Sequence, residues 1–251
     1  MRLKGKTALV TGASAGIGAA IARRFAGEGC SLYLVGGRNK PALEETLAAC
    51  RGAGVQAAGE PADFSDLKAL GGIVGRALGF LKKFDILVNC AGTRSHKPVQ
   101  EFTLEEIETL FRVNAMAAFL LSGLAARHMI ERGGGQILNI GSTAGEAGVP
   151  FNSLYCATKG AMHLMAKAQA AELGPKGVRV NVLAPGTTLS EGTVARTERD
   201  PERTRRLMET VPLNRFATPE EIAACAAFMA SEEASYMNGS VVLVDGGRLC
   251  L

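Results

Sequence analysis

Val10-Thr11-Gly12-Ala13-Ser14-Ala15-Gly16-Ile17-Gly18 closes a short β-rich run, residues 7–10, and opens an apolar helical pattern through Ala20, Ile21 and Phe25. Three glycines at a strand-to-helix junction let the chain turn tightly and let backbone N–H groups approach a phosphate. The helix that follows brings its partial positive charge to the same point. A glycine-rich turn alone is weak evidence, since ordinary strand-to-helix turns also use glycine. Its place within the first twenty residues of an alternating strand and helix pattern favours binding of a pyrophosphate.

Outward from this turn, β-rich runs at 7–10, 31–35, 55–58, 85–88, 136–140, 178–182 and 241–244 alternate with longer helical patterns. Near-continuous apolar runs fit strands buried on both faces, and the helical segments between them allow parallel crossovers. The expectation is an α/β fold, a single doubly wound Rossmann-type domain over 1–251, with a seven-stranded parallel sheet and helices on both faces. Helix starts are marked by Asn39 with Pro41, by Ser65 with Asp66, by Thr103 with Glu106, and by Thr218-Pro219-Glu220-Glu221. The alternation breaks at about 186–213, a segment of mixed charge and weak periodicity that reads as a substrate loop.

Composition narrows the function classes. The 251 residues are 47% apolar, and no uninterrupted apolar run approaches the roughly 18 residues of a membrane helix. No targeting signal precedes the first strand, and no membrane association is expected. The six cysteines are scattered without a CxxC pair, which suits a reducing, cytoplasmic setting. Net charge is +4, but Arg196, Arg199, Arg203, Arg205 and Arg206 are interleaved with Glu191, Glu198, Asp200, Glu202 and Glu209, the pattern of a solvated face. With 5% aromatics and no Trp, nucleic acid is a poor partner. His96, His128 and His163 have no second ligand at metal spacing, so no metal is assigned. Met116, Met129, Met162 and Met165 read as core or interface fillers.

The end of the second strand selects among dinucleotides. NAD-binding folds place an Asp or Glu there for the ribose hydroxyls, whereas this chain has Val35-Gly36-Gly37-Arg38-Asn39. No carboxylate repels a 2′-phosphate, and Arg38 offers a charged fork for one, so NADP(H) is the expected cofactor.

Tyr155 is followed four residues later by Lys159, a spacing that puts both on one helix face. A phenol titrates near 10, and an adjacent ammonium favours its ionised form, so the pair makes sense as an acid/base. Tyr-x-x-x-Lys alone is common enough to be a surface pair. Ser142, thirteen residues before Tyr155, follows the fifth strand at the carboxyl end, where open α/β sheets bind ligands.

Through Thr11 to Gly18, Asn89-Cys90-Ala91-Gly92, Asn114, Ser142, Tyr155/Lys159 and Pro185-Gly186, the whole chain resembles the short-chain dehydrogenase/reductase family. The resemblance implies interconversion of a carbonyl and an alcohol, with Tyr155 as proton donor, Ser142 orienting the oxygen, and Lys159 serving both Tyr155 and the nicotinamide ribose. Asn114 would complete a proton relay through water. Gly12, Ser14, Gly16, Ile17, Gly18, Arg38 and Asn39 would bind the phosphates and ribose, and Asp63 the adenine. Asn89, Ala91 and Gly92 would line the cofactor, and Pro185, Gly186, Thr188 and Ser190 would border the nicotinamide carboxamide. The last strand and turn imply a subunit interface and a homotetramer.

The chain departs from the family pattern at Cys90, which replaces an amide, at Ser190, which replaces a threonine, and at Ala15, where some NADP-using relatives carry a base. The leading expectation is a ketone or aldehyde reductase acting on a small-molecule carbonyl or alcohol, with Val149, Phe151 and Leu154 suggesting an apolar side to the pocket that favours hydrophobic ketones over sugars. A 3-oxoacyl-[acyl-carrier-protein] reductase is the alternative, with Arg132 and Lys176 near the positions of a carrier-binding patch. An enoyl reductase is disfavoured because those relatives place the Lys six residues after the Tyr, where this chain has Ala161. From another class, a non-catalytic NADP-binding sensor would have no need of Asn114, Ser142, Tyr155 and Lys159 together.

Overall fold

A computed structural model describes residues 1–190, 193–194 and 199–250; residues 191–192 and 195–198 of the expected substrate loop lie outside the described residues. All seven expected strands form: β1 (Thr7–Thr11), β2 (Ser31–Gly36), β3 (Ala57–Pro61), β4 (Ile86–Asn89), β5 (Gly135–Ile140), β6 (Val178–Pro185) and β7 (Val241–Val244). They pair in parallel in the order β3-β2-β1-β4-β5-β6-β7. The third strand runs later than its β-rich stretch at 55–58, because β2 continues to Gly36 and pairs there with Pro61. Proline is tolerated at that place because β3 is an edge strand.

Between the strands lie α1 (Gly16–Gly27), α2 (Lys40–Gly52), α3 (Leu67–Leu81), α4 (Leu104–Phe111), α5 (Ala117–Glu131), α6 (Ser153–Leu173), α7 (Pro201–Glu209) and α8 (Pro219–Met229). The expected starts are present: Asn39 caps α2 by accepting from Ala42 N at 3.2 Å, and Asp66 caps α3. Thr103 with Glu106 and Thr218 with Glu221 complete capping boxes on α4 and α8. The segment around 186–213, expected to be weakly periodic, contains α7.

Alternation along the strands divides the core in two. Ala8 and Val10 pack with Ile21 and Phe25 of α1, Leu43 and Leu47 of α2, and Ile222 and Ala226 of α8. Leu9 and Leu87 face the other way, onto Leu70 and Ile73 of α3, Leu121 and Met129 of α5, and Ala166 of α6. Leu104–Glu131 is the one described helical run long and apolar enough to cross a membrane by length and composition. Its α5 half instead buries Leu121, Ala125 and Met129 against the sheet, as a core helix does.

A π-helical turn, Arg112–Met116, joins α4 to α5 and contains Asn114. Such single turns insert one residue into the helical register and occur frequently at functional sites.

Phe25 is fully buried between α1 and the sheet. Phe25→Ala is expected to cost about 3–5 kcal/mol of folding stability, read as a lower denaturant midpoint.

Candidate active site

The strand order reverses between β1 and β4, and the crevice at their carboxyl ends is where open α/β sheets take ligands. Thr11 ties the two strand ends together: its buried Oγ1 accepts from Cys90 N at 3.0 Å and Ala91 N at 3.1 Å. Gly12 has φ +69° in the left-handed region, and a Cβ there would lie 2.8 Å from Ala91 N. A Cβ on Gly18 would stand 2.2 Å from the Gly12 carbonyl oxygen, so α1 approaches the turn as only glycine allows. The far side of the turn meets Ser190, whose Cβ lies 3.2 Å from the Cβ position of Gly16. Ile17 packs against the first core, which anchors the start of α1.

At the end of β2, Ser14 Oγ accepts from Gly37 N at 3.2 Å. A side chain on Gly36 would strike that Oγ at 2.2 Å, so this strand end has no room for an acid at Gly36. Arg38 projects into solvent, and its Nη2 donates to Asp63 Oδ2 at 3.2 Å. Asp63 also accepts from the Ser65 hydroxyl at 2.6 Å, and these contacts hold its carboxyl below the usual carboxylate range. The side chain of Asn39 is occupied in capping α2.

The acid/base candidates converge on the carboxyl end of β5. Lys159 is 4% exposed, and its Nζ donates to Ile140 O at 2.7 Å, the last carbonyl of that strand. The same Nζ lies 5.8 Å from the centroid of the half-buried Tyr155 ring. Ser142 begins a 3-10 turn, Thr143–Gly145, and its Oγ accepts from Ala144 N at 3.1 Å. A Cβ on Gly92 would stand 3.4 Å from Asn114 Oδ1 and 3.9 Å from Lys159 Nζ, so these three sites are neighbours. Asn114 is fully buried: its Oδ1 accepts from Thr93 N, and its Nδ2 donates to Thr93 O and Thr158 Oγ1. On the other wall Gly186 N donates to Val244 O at 2.9 Å, following Pro185 at the end of β6. Thr188 Oγ1 donates to Gly186 O at 3.2 Å, and Ser190 Oγ pairs with Thr193 Oγ1 at 3.1 Å.

Not every expected residue presents its side chain to this crevice. Asn89 is buried between the sheet and α5, where its Nδ2 donates to Asn139 Oδ1 of β5 and Ser122 Oγ of α5. Arg132 and Lys176 sit just before β5 and β6, at the amino ends of those strands. A six-residue strand spans roughly 20 Å, so the basic patch expected near the mouth stands at the opposite edge of the sheet. Leu154, expected on an apolar pocket wall, is buried at 9% exposure, while Phe151 is exposed.

Arg94 and Glu146 escaped the sequence reading. Arg94 places its guanidinium carbon 5.5 Å from the Tyr155 ring centroid, and its Nε donates to Asn152 Oδ1 at 2.8 Å. Asn152, buried, turns its Nδ2 to Pro150 O and to His96 Nδ1. His163 lies one turn beyond Lys159 and pairs with Glu146 at 2.7 Å. Among the described residues no three His, Cys, Asp or Glu side chains gather as a metal site.

Known proteins match this architecture along its whole length. A family model described as enoyl-(acyl carrier protein) reductase matches residues 12–248. The D-threitol dehydrogenase of Mycolicibacterium smegmatis is 38% identical over 248 residues, covering 98% of this chain and 94% of that one. The solved short-chain dehydrogenase/reductase of Serratia marcescens superposes with a TM-score of 0.92 at 34% identity, covering 99% of each chain. A solved chain from Beutenbergia cavernae, assigned as an NAD(P)-dependent gluconate 5-dehydrogenase and holding NADP at low occupancy, gives 0.93 at 35% identity, with 99% and 98% covered. With the glycine turn at the switch point and Ser142, Tyr155 and Lys159 gathered at the end of β5, the chain is an oxidoreductase of the short-chain dehydrogenase/reductase family.

Proposed function

We propose that this chain is an NADP(H)-dependent oxidoreductase that interconverts a ketone or aldehyde with its alcohol. The observation that carries this reading is the buried Lys159 beneath Tyr155, fixed to the strand end that also carries Ser142. NADP(H), when bound, supplies or accepts the hydride. Tyr155 gives a proton to the carbonyl oxygen in reduction and removes one in oxidation. Ser142 accepts a backbone N–H and keeps its own hydrogen to donate to the same oxygen. Lys159 holds its cation beside the ring, 5.8 Å from the centroid. The side chain of Asn114 is committed to Thr93 and Thr158, so a water relay at this residue would run from its main chain in the π-helical turn.

The residues present fit NADP(H). Gly12 and Gly18 leave the cradle a pyrophosphate needs, Gly36 leaves no carboxylate at the end of β2, and Arg38 stands beside the place of a 2′-phosphate. Its exposed ion pair with Asp63 contributes little and yields readily to a phosphate. NADP in the Beutenbergia cavernae relative supports this choice. The substrate is a small hydroxylated compound of the sugar or polyol type. The exposed Arg94, held by the buried Asn152 beside the Tyr155 ring, gives the mouth a polar side, and the relatives are named for threitol and gluconate. Lys159 at four residues after Tyr155, with Ala161 at six, separates this reading from enoyl reduction.

Two apolar surfaces support a homotetramer. One lies between α5 and α6, where Phe119 is 61% and Leu164 70% exposed around a groove lined by Met116 and Met165. The other is the free edge of the sheet at β7, with Leu243 exposed. Two patches that each pair with their own copy would generate a closed dihedral assembly. The six cysteines, all unpaired, suit the cytoplasm.

Tyr155→Phe is expected to retain NADPH binding and to lose about a hundredfold or more of kcat, measured as NADPH absorbance loss; unchanged turnover contradicts the mechanism. Arg38→Ala should raise KM for NADPH about tenfold while leaving KM for NADH nearly unaltered, which steady-state kinetics with both cofactors will show. Phe119→Glu should break the α5/α6 contact and reduce the particle to a dimer in light scattering.

A further inference from the structure

The His163–Glu146 pair lies behind the catalytic residues and takes no part in the mechanism above. Tyr155, Lys159 and His163 follow one another at four-residue spacing on α6, so they share a face. His163 is 3% exposed, and its ring lies under the turn that carries Ser142. A Cβ on Gly141 would stand 2.4 Å from Nε2, and one on Gly145 would stand 2.5 Å from Cε1. Glycine on both sides of Ser142 is what lets the turn rest on the imidazole. Glu146, immediately after the turn, meets Nδ1 at 2.7 Å.

The chemistry of the contact sets the tautomer. An ionised Glu146 accepts only, so Nδ1 carries the hydrogen, and Nε2, buried with no partner among the described residues, keeps its lone pair. Burial makes His163 resist protonation, opposed by Glu146 and reinforced by the cations Lys159 and Lys167. The neutral ring therefore belongs to the folded state. The unfolded chain takes the proton more readily, so the stability this arrangement contributes is present at neutral pH and declines as pH falls below about 6.5.

We propose that His163 and Glu146 are positioning residues for Ser142: they hold the Thr143–Gly145 turn so that the Ala144 N–H stays on Ser142 Oγ and the Ser142 hydroxyl stays aimed at the reacting oxygen. The turn is thus anchored twice from α6, by Lys159 at the carbonyl before it and by His163 at the carboxylate after it. The role assigned to both requires no contact with substrate or cofactor. A merely space-filling histidine would affect stability alone, whereas a positioning one affects the turn and the chemical step.

This inference rests on the catalytic reading of Ser142, and its test has an arm that needs no substrate. Hydrogen exchange at the amides of Ala144, Gly145 and Glu146, which bond Ser142 Oγ, Ser142 O and Thr143 O, reports the turn directly. In the NADPH complex of Glu146→Ala, a partly exposed site that tolerates substitution, and of His163→Leu, these amides should exchange on the order of tenfold faster. Value kcat should fall about ten- to a hundredfold with KM for NADPH unaltered. Glu146→Gln, which keeps an acceptor, and His163→Asn, which keeps a donor near Nδ1, should recover much of both effects. Unaltered exchange in folded Glu146→Ala overturns the proposal whatever the activity. Faster exchange with unaltered kcat overturns it too. Should the wild-type protein turn over no carbonyl compound, the catalytic reading fails by itself, and faster exchange still establishes that the pair holds the turn.

Discussion

The ammonium of Lys159 is buried, and a buried charge is costly unless hydrogen bonds compensate it. Its bond to the carbonyl of Ile140 fixes α6 against the end of β5 and so brings Tyr155, on α6, to the strand end that continues into Ser142. The arrangement places one cation under a phenol and beside Gly92 and Asn114. Catalytic sites repeatedly combine burial with a specific charge partner in this way. Here the sheet supplies the fixed point, and the helix supplies the tyrosine and lysine proposed as the acid/base pair.

A second constraint sets the glycine turn, the proposed cofactor cradle, at the same end of the sheet. The strand order puts β4 beside β1, and Thr11 locks the end of β1 to the backbone of Cys90 and Ala91. Because the close approach is between backbone atoms, the cysteine at position 90 leaves the cradle intact despite replacing an amide in the family pattern. Gly12 and Gly18 complete the approach from the side of α1. The proposed cradle and the proposed acid/base group therefore share the carboxyl end of one sheet, which is what hydride transfer between a held cofactor and a held carbonyl requires.

The sheet was legible in the sequence because its strands are apolar runs set off by capped helices. Asn39, Asp66, Thr103 and Thr218 all act as helix caps, each through local hydrogen bonds that need no tertiary context. The spacing of Tyr155 and Lys159 was equally readable, because one helix carries both. What sequence could not give is orientation. Asn89 lies in the cofactor-lining motif, yet its side chain turns between the sheet and α5 toward Asn139 and Ser122. The π-helical turn at Asn114 leaves no compositional mark, since it arises from how α4 and α5 join over the sheet. Arg132 and Lys176 look close to the mouth along the chain, but each precedes a strand whose far end carries the chemistry. His163 read as a lone histidine because Glu146 is seventeen residues away and meets it only once α6 packs under the turn.

The central claim is that this sheet edge performs hydride transfer with NADPH. Its most direct measurement follows deuterium from the nicotinamide of [4,4-²H₂]NADPH during reduction of a panel of ketoses, diketones, cyclic ketones and 3-oxoacyl thioesters. The account predicts one deuterium on the carbinol carbon of a polyol product, with NADPH consumed in equal amount and NADH used more slowly. Tight NADPH binding without label transfer to any carbonyl in the panel would contradict it and leave a binding protein in place of an enzyme.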